Sequence, residues 1–229
     1  MHQVPTAESS HQPFEKMAMH RHAKSYAAMV LDGSYEEHGP DGRFRCEVGS
    51  LIVHPPWHQH GDEFGRKGAV ILNLPVQSAD GLYCAHVSDI EAFSNLAYQS
   101  PQLAGCAALE EAQECEPLSP AAWLETLTVM LITEQDSSIA EIAVQCGVSH
   151  EHASRACKRW FGMSPTELRR ESRLQMAIDL LENGATPAEA AVEAGFSDQP
   201  HLTRILKRAT GRTPANFKLT DQIRSRPRQ

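Results

Sequence analysis

Short apolar runs separated by turn residues fill the first part of the chain. Turn signals such as Gly-Pro-Asp-Gly at 39–42 interrupt them. Runs of this length are typical of β-strands, and many short strands in succession indicate a barrel or a sandwich. The sequence therefore predicts a β-rich domain over residues 1–86. Its apolar runs lie at residues 26–31, 51–53, 70–74 and 82–85.

Beyond these strands the apolar pattern takes a helical period. Residues 88–91, Ser-Asp-Ile-Glu, have the spacing of a capping box. Another helix is predicted to start at Ser119-Pro120, because proline is tolerated at the first helical position. We interpret residues 87–136 as a helical connector and a candidate dimerisation element. For Trp123 and Leu127 we favour packing on the strand-rich domain instead.

The last part of the chain contains an internal repeat. Residues 140–147 match residues 188–195 at an offset of 48, after which the second copy has one extra residue. A repeat of this length indicates one small helical unit used twice. Further along, Arg155, Lys158, Arg159, Gly162 and Pro165 match Arg204, Lys207, Arg208, Gly211 and Pro214.

Each copy predicts two helices joined by a glycine turn. Residues 138–141 and 186–189 have the Ser/Thr-x-x-Glu spacing of a capping box, which marks a helix start. Gly147 and Gly195 end these first helices, since glycine accepts the positive φ of such a turn. The layout is that of a helix-turn-helix unit. The second helices are predicted over residues 150–161 and 199–210.

A long helix is predicted between the two copies. Residues 164–167 form its capping box, Gly184 follows its end, and apolar residues at i, i+3, i+4 and i+7 from Leu174 give it a packing stripe. A helix of about 18 residues spans about 27 Å. Successive major grooves on one face of a duplex lie about 34 Å apart. Such a helix is long enough to hold two recognition helices on successive grooves.

Charge divides the chain into two parts. The net charge of −8 consists of −12 in residues 1–136 and +4 in residues 137–229. Only the basic part can neutralise phosphates. Each second helix also combines an apolar face with a basic one, as a helix in a major groove does. The alternative is a solvated charged face on an ordinary helical bundle, which the matching Arg and Lys positions of the two copies disfavour.

Two segments, 194–204 and 211–217, carry a family signature. Because of these two segments, residues 137–218 resemble the DNA-binding domain of the AraC/XylS family of bacterial transcription regulators. The resemblance implies two helix-turn-helix units joined by a linker helix and bound to double-stranded promoter DNA, with RNA polymerase as a further partner. Cys157 and Leu206 depart from the family pattern, which usually has phenylalanine there.

The resemblance also implies roles for residues of the second helices. Arginine pairs with guanine, glutamine with adenine, and glutamate accepts from cytosine, whereas phosphate contacts supply affinity without sequence information. Pro200 occupies a base-facing position, where it offers no N–H donor. The implied base-reading residues are Glu151, Ser154, Arg155, Gln199, Thr203 and Arg204. The implied phosphate anchors are Lys158, Arg159, Lys207 and Arg208.

A histidine pattern in the strand-rich domain resembles the two cupin motifs. His20-x-His22 matches the first motif, and Pro55 followed by His60 matches the second. The resemblance implies a cupin-like barrel that senses an effector. It also implies that His20, His22 and His60 bind a divalent metal, since three imidazoles can hold such an ion.

The cupin match is incomplete. Tyr26 or Ala27 stands in place of the usual glutamate ligand, and Trp57 replaces a glycine. His58 and Glu63 are candidate substitute ligands. The alternative is that the histidines line the barrel as polar groups and hold no metal.

The sequence predicts an α+β protein of two domains and a sequence-specific transcription regulator controlled by a small effector. The alternative function is a cupin metalloenzyme with a helical appendage. The motifs disfavour an enzyme, because neither a Ser/His/Asp arrangement nor a phosphate-binding glycine loop is visible. The predicted parts are a cupin-like effector-sensing domain (1–86), the helical connector (87–136), an all-α double helix-turn-helix domain (137–218) and a basic tail (219–229).

The cysteines and the hydropathy pattern indicate a compartment. Six cysteines occur with no C-x-x-C pair, which is typical of a reduced cytoplasm. The first residues lack the apolar segment of a signal peptide. A run of about 18 apolar residues is also missing, so no membrane association is expected.

A homodimer is a further expected assembly.

Overall fold

The computed structural model describes residues 8–77, 83–134 and 136–217, and the predicted basic tail lies outside them. It confirms an α+β protein with a strand-rich N-terminal domain and a helical C-terminal domain. The strands are β1 (Glu8–His11), β2 (Lys16–Arg21), β3 (Tyr26–Gly39), β4 (Gly42–Glu47), β5 (Ser50–His54), β6 (Gln59–Pro75), β7 (Tyr83–His86) and β8 (Gln113–Cys115). The helices are α1 (Ile90–Gln99), α2 (Pro101–Glu111), α3 (Ala122–Thr133), α4 (Ile139–Gln145), α5 (His150–Phe161), α6 (Pro165–Glu182), α7 (Pro187–Glu193) and α8 (Gln199–Thr210), followed by a 3₁₀ turn (Pro214–Phe217).

In the described residues, the strands form one antiparallel sheet built around its two longest members, β3 and β6. Strand β6 pairs β1 and β2 as well, and β3 pairs β4 and β5. Successive residues of β3 join different apolar clusters: Ala27 and Met29 pack under α1 and α2, whereas Ala28 and Val30 pack on the other face. Because both faces are buried, this run is apolar throughout.

The predicted connector is divided between the two domains. Phe93 of α1 and Ala104 of α2 are buried against the sheet, and β8 extends the sheet by pairing with β7. The capping box predicted at residues 88–91 is wrong, because the helix starts one residue later than Ser88 as N-cap would require. Helix α1 has Asp89 as its N-cap, and the Asp89 carboxylate accepts a hydrogen bond from the Ala92 N–H.

Helix α3 packs on the first helix-turn-helix unit, so the favoured packing of Trp123 and Leu127 on the strand-rich domain is wrong. Leu127 is fully buried with Ile142 of α4 and Ala153 of α5, and Trp123 packs at the edge of the same cluster. The apolar stripe of α3 covers an apolar face that α4 and α5 leave open. The helix also begins at Ala122, two residues after Pro120.

The helical repeat forms as predicted. Helices α5 and α8 have the predicted bounds, and α4, α6 and α7 each begin with a complete capping box. Gly147 and Gly195 both adopt a φ of 74° at the turns. Cys157 and Leu206, the positions that depart from the family pattern, are fully buried. The smaller side chains therefore still pack in the two cores.

The two domains contact each other around one tryptophan. Trp57 follows the Pro-Pro turn between β5 and β6, has a φ of 64° and is 2% exposed. Its ring packs with Phe217 in the core of α6, α7 and α8, and the Arg212 guanidinium lies 5.0 Å from the ring centroid. The second helix-turn-helix unit therefore includes a side chain of the N-terminal domain in its core.

A buried ion pair supports this domain contact. Arg21 donates to Glu171 of α6 at 2.9 Å, and the two side chains are 12% and 6% exposed. The same guanidinium donates to the Trp57 carbonyl and to the Gln59 amide oxygen. Arg21 thus joins β2, the Trp57 turn and helix α6.

Within the described residues, no helix combines the length and the apolar character that crossing a membrane requires.

Removal of Glu171 tests the buried pair. Glu171→Ala leaves the Arg21 charge buried without its partner, so we expect a loss of about 3–5 kcal/mol in the free energy of unfolding. Glu63→Ala is the matched control, because the Lys16–Glu63 pair at 3.3 Å is exposed and should contribute less than about 1 kcal/mol. Urea unfolding followed by circular dichroism measures both losses. Equal losses in the two variants would contradict a structural role for the buried pair.

Candidate DNA-binding surface and histidine cavity

Helix α5 presents the predicted base-reading residues of the first unit at the surface. Ser149 caps its start by accepting from the His152 N–H. Glu151 and Arg155 are exposed and Ser154 is half-buried. Hydrogen bonds to the backbone and to Ser149 lower the pKa of the Glu151 carboxyl, so this side chain is an anionic acceptor at neutral pH.

Helix α8 presents the second unit in the same way. The Asp198 carboxylate caps its start by accepting from the His201 N–H at 2.6 Å. Gln199 and Arg204 are exposed. Thr203 is half-buried, and its hydroxyl donates to the Gln199 carbonyl at 2.9 Å within the helix. Thr203 therefore offers oxygen lone pairs and its methyl group, rather than a free hydroxyl proton, toward a base.

The four predicted phosphate anchors are also exposed. Lys207 and Arg208 lie in the last turn of α8, where cations face the negative end of the helix dipole. Lys158 lies 3.8 Å from Glu167, in an exposed pair that phosphate can replace. The carbonyl of Arg159 accepts a hydrogen bond from Arg43 of β4 at 3.1 Å.

Helices α5 and α8, which carry the predicted base-reading residues, are called the first and second reading helices. The end of α5 touches the N-terminal domain at a glycine. Gly162 ends α5 with a φ of 70°, and a Cβ added there would lie 2.4 Å from the His38 ring. Gly147 has a similar φ of 74°, but a Cβ there would meet nothing within 4 Å. Of these two glycines, Gly162 therefore combines a left-handed backbone with a domain contact, and Gly147 does not.

The strands enclose a cavity of about 160 Å³ that contains the predicted metal ligands. His20 of β2 and His22, the residue directly after that strand, face His60 of β6, with one ligand nitrogen from each ring within 4.8 Å of the others. This donor set fits a divalent metal. Tyr26 stands where a cupin has glutamate, and its hydroxyl lies 3.1 Å from His60 Nε2. Burial raises the pKa of this phenol, which keeps it neutral.

The cavity is also lined by Glu37, His54 and Asp62, which the sequence analysis did not single out. His54 Nε2 lies 3.4 Å from Glu37 Oε2, and both side chains are 2% exposed. Burial raises the pKa of Asp62 to about 7. Burial and the nearby Asp62 charge also raise the pKa of Glu37, whereas burial lowers the pKa of His54. These pKa shifts favour the uncharged forms of Glu37, Asp62 and His54.

Neither substitute ligand lines the cavity, although one ring nitrogen of His58 lies within 4.8 Å of one of His60. His58 Nε2 lies 2.6 Å from Asp41 Oδ2, on the side of the domain that faces α6. Glu63 pairs with Lys16 at the surface, so its role as a cavity ligand is wrong. Residues 62 and 63 alternate across the strand, which places Asp62 inside and Glu63 outside.

The fold and the exposed reading helices define a double helix-turn-helix DNA-binding protein. A family model described as a helix-turn-helix domain matches residues 142–219. The probable transcription factor PqrA of Proteus vulgaris is 35% identical over 97 residues, which make up 42% of this chain and 77% of that protein. The chain belongs to the AraC/XylS family of transcription regulators.

Two other similar proteins match this chain over very different shares of their lengths. The uncharacterized HTH-type transcriptional regulator YbfI of Bacillus subtilis (strain 168) is 32% identical over 68 residues, which cover 30% of this chain and 25% of that protein. Among solved structures, ToxT of Vibrio cholerae O395 is 10% identical with a TM-score of 0.45, and the match covers 92% of this chain and 95% of that one.

Alanine at the two glycines separates backbone strain from domain contact. Both Gly147→Ala and Gly162→Ala place a side chain at positive φ, which costs about 1–2 kcal/mol. Gly162→Ala also forces the Cβ into His38, so we expect about 1–3 kcal/mol more. Urea unfolding of each variant measures the difference. If the two variants lose the same stability, α5 does not press on the N-terminal domain at Gly162.

Proposed function

We propose that the protein regulates transcription by placing α5 and α8 in successive major grooves of promoter DNA. The observation that carries the proposal is the matched pair of capped helices with Arg155 and Arg204 exposed at equivalent positions. Helix α6, with 18 residues and a length of about 27 Å, separates the two units. Such a separation suits two helices that share one face of a duplex.

The residues of the reading helices divide into two roles in this proposal. Arg155 and Arg204 lie near the middle of their helices, where an arginine fork reaches guanine N7 and O6. Glu151, Ser154, Gln199 and Thr203 supply further base contacts. Lys158, Arg159, Lys207 and Arg208 bind phosphates, which set affinity and register.

The N-terminal domain is proposed to control this activity through a small effector in the histidine cavity. The acidic charge of residues 1–136 keeps that domain away from phosphates. The domain reaches the DNA-binding units through Trp57 and the Arg21–Glu171 pair. Effector binding, rather than catalysis, is the role we assign to the cavity. RNA polymerase and a second copy of the chain are the proposed protein partners.

Truncation of the matched arginines tests base reading. We expect Arg155→Ala and Arg204→Ala each to weaken binding to the specific site by about 1–3 kcal/mol and to weaken random DNA less. We expect Arg155 to matter at least as much as Arg204, because Pro200 deprives the second helix of a donor. The measurement is a binding titration of the full chain on an operator selected from a random pool and on a scrambled duplex.

Arg170→Ala is the control for these variants, since Arg170 is exposed on α6 and belongs to neither reading helix. It should leave specific binding unchanged. An Arg155→Ala variant that lost equal affinity on both duplexes would assign Arg155 to phosphate binding instead.

Lys207 tests the anchoring role separately. Lys207→Ala removes one phosphate contact, so we expect similar weakening on specific and scrambled duplexes. The slope of log K against log salt concentration should also fall by about one unit. Titrations at several salt concentrations measure this slope. A loss confined to the specific duplex would instead make Lys207 a base-reading residue.

A further inference from the structure

A second group of histidines lies at the Trp57 turn, beside the predicted metal triad. His54 ends β5, His60 lies in β6, and His58 lies between them directly after Trp57. The three rings are 2%, 4% and 2% exposed in chain order. One ligand nitrogen from each lies within 4.8 Å of the other two. The cupin motifs do not include His54 or His58.

Each of these rings uses one nitrogen and leaves the other without a partner. The Nε2 atoms face Glu37 at 3.4 Å, Asp41 at 2.6 Å and the Tyr26 hydroxyl at 3.1 Å. The Nδ1 atoms of all three rings are buried and have no hydrogen-bond partner among the described residues. Buried polar atoms in native proteins are nearly always satisfied. Three neighbouring buried histidines, each with an unsatisfied ring nitrogen, therefore indicate a missing partner.

The surroundings are those of metal-binding histidines. A ligand histidine usually donates its other ring N–H to a carboxylate or to another oxygen, which fixes the tautomer and orients the ring. Glu37, Asp41 and Tyr26 supply such oxygens here. With the proton on Nε2, each Nδ1 presents a lone pair. A divalent transition-metal ion is the partner that three such nitrogens can share.

We propose that His54, His58 and His60 bind one divalent transition-metal ion of the zinc, nickel, cobalt or copper class. His60 belongs to both this triad and the predicted one, so the two sites compete for it. The predicted triad is less enclosed, because His20 is half-buried. The metal site goes beyond the proposed function and does not depend on it.

The site has a structural consequence for the domain contact. His54 and His58 lie on either side of the Pro-Pro-Trp segment, so one ion bound to both would fix the ends of the turn that carries Trp57. Trp57 packs in the core of the second helix-turn-helix unit. An ion would therefore tighten the contact between the N-terminal domain and α8. The meaning of this contact for DNA binding, unlike the site itself, rests on the proposed function.

The test is a titration of the metal-stripped full chain with Co²⁺, followed by its visible absorption and by elemental analysis. We expect one ion per chain, displaced by Zn²⁺. His54→Gln and His58→Gln should each weaken binding by about tenfold or more. His20→Gln and His22→Gln, the matched controls at the end of β2 and directly after it, should change it by less than about threefold. Circular dichroism of every variant checks that it is folded.

Asp41→Asn keeps the test decisive if a histidine variant does not fold. The Asp41 side chain is 55% exposed, so its replacement should leave the fold intact. Loss of such an outer partner is expected to weaken metal binding by about 10–100-fold. Absence of bound ion in the full chain would overturn the proposal. It would equally be overturned if His20→Gln and His22→Gln abolished binding while Asp41→Asn retained it, which would place the ion at the predicted triad.

Discussion

The buried face of helix α6 is the constraint on which the rest of the structure depends. Leu168, near its start, is fully buried in the core of α3, α4 and α5. Leu174, Ala177 and Ile178, further along, are buried in the core of α7 and α8. Each short helix-turn-helix unit completes its core with part of this one helix. The relative position of α5 and α8 is therefore set by a rigid element and not by a loop.

The same helix receives the N-terminal domain. Glu171 lies between the two apolar stretches of α6 and pairs with Arg21, whose neighbours in sequence are His20 and His22. Arg21 also binds the carbonyl of Trp57, which packs on the second unit. A shift of His20 or His22 would therefore move the adjacent Arg21, which contacts α6 directly and α8 through Trp57. This arrangement gives the proposed effector control a physical route through Arg21 and Trp57.

Local chemistry made the helical domain predictable to the residue. Capping boxes at Ser138, Ser164 and Thr186 fix helix starts through hydrogen bonds within four residues, which the sequence displays directly. At α1, two adjacent residues, Ser88 and Asp89, are both suitable caps, and the sequence could not separate them. The partner of α3 was missed because its apolar stripe fits any apolar face.

The cavity was predictable only in part. The resemblance to the cupin motifs implied that His20, His22 and His60 converge, but Glu37 was hidden from a period-two count. The positions of Tyr26 and Glu37 differ by an odd number, so a regular strand would point them to opposite faces, and yet both line one cavity. The pairing of β3 with β6 shifts register between Val30 and Asp32 and again between Gly33 and Tyr35. Such bulges change which side chains point inward, and they are set by the partner strand.

Hydroxyl-radical footprinting of the full chain on a selected operator tests the central claim most directly. If α6 holds the two reading helices on successive grooves, two protected segments should lie on one face of the duplex, about one helical turn apart. A single protected segment, or two segments on opposite faces, would contradict the account.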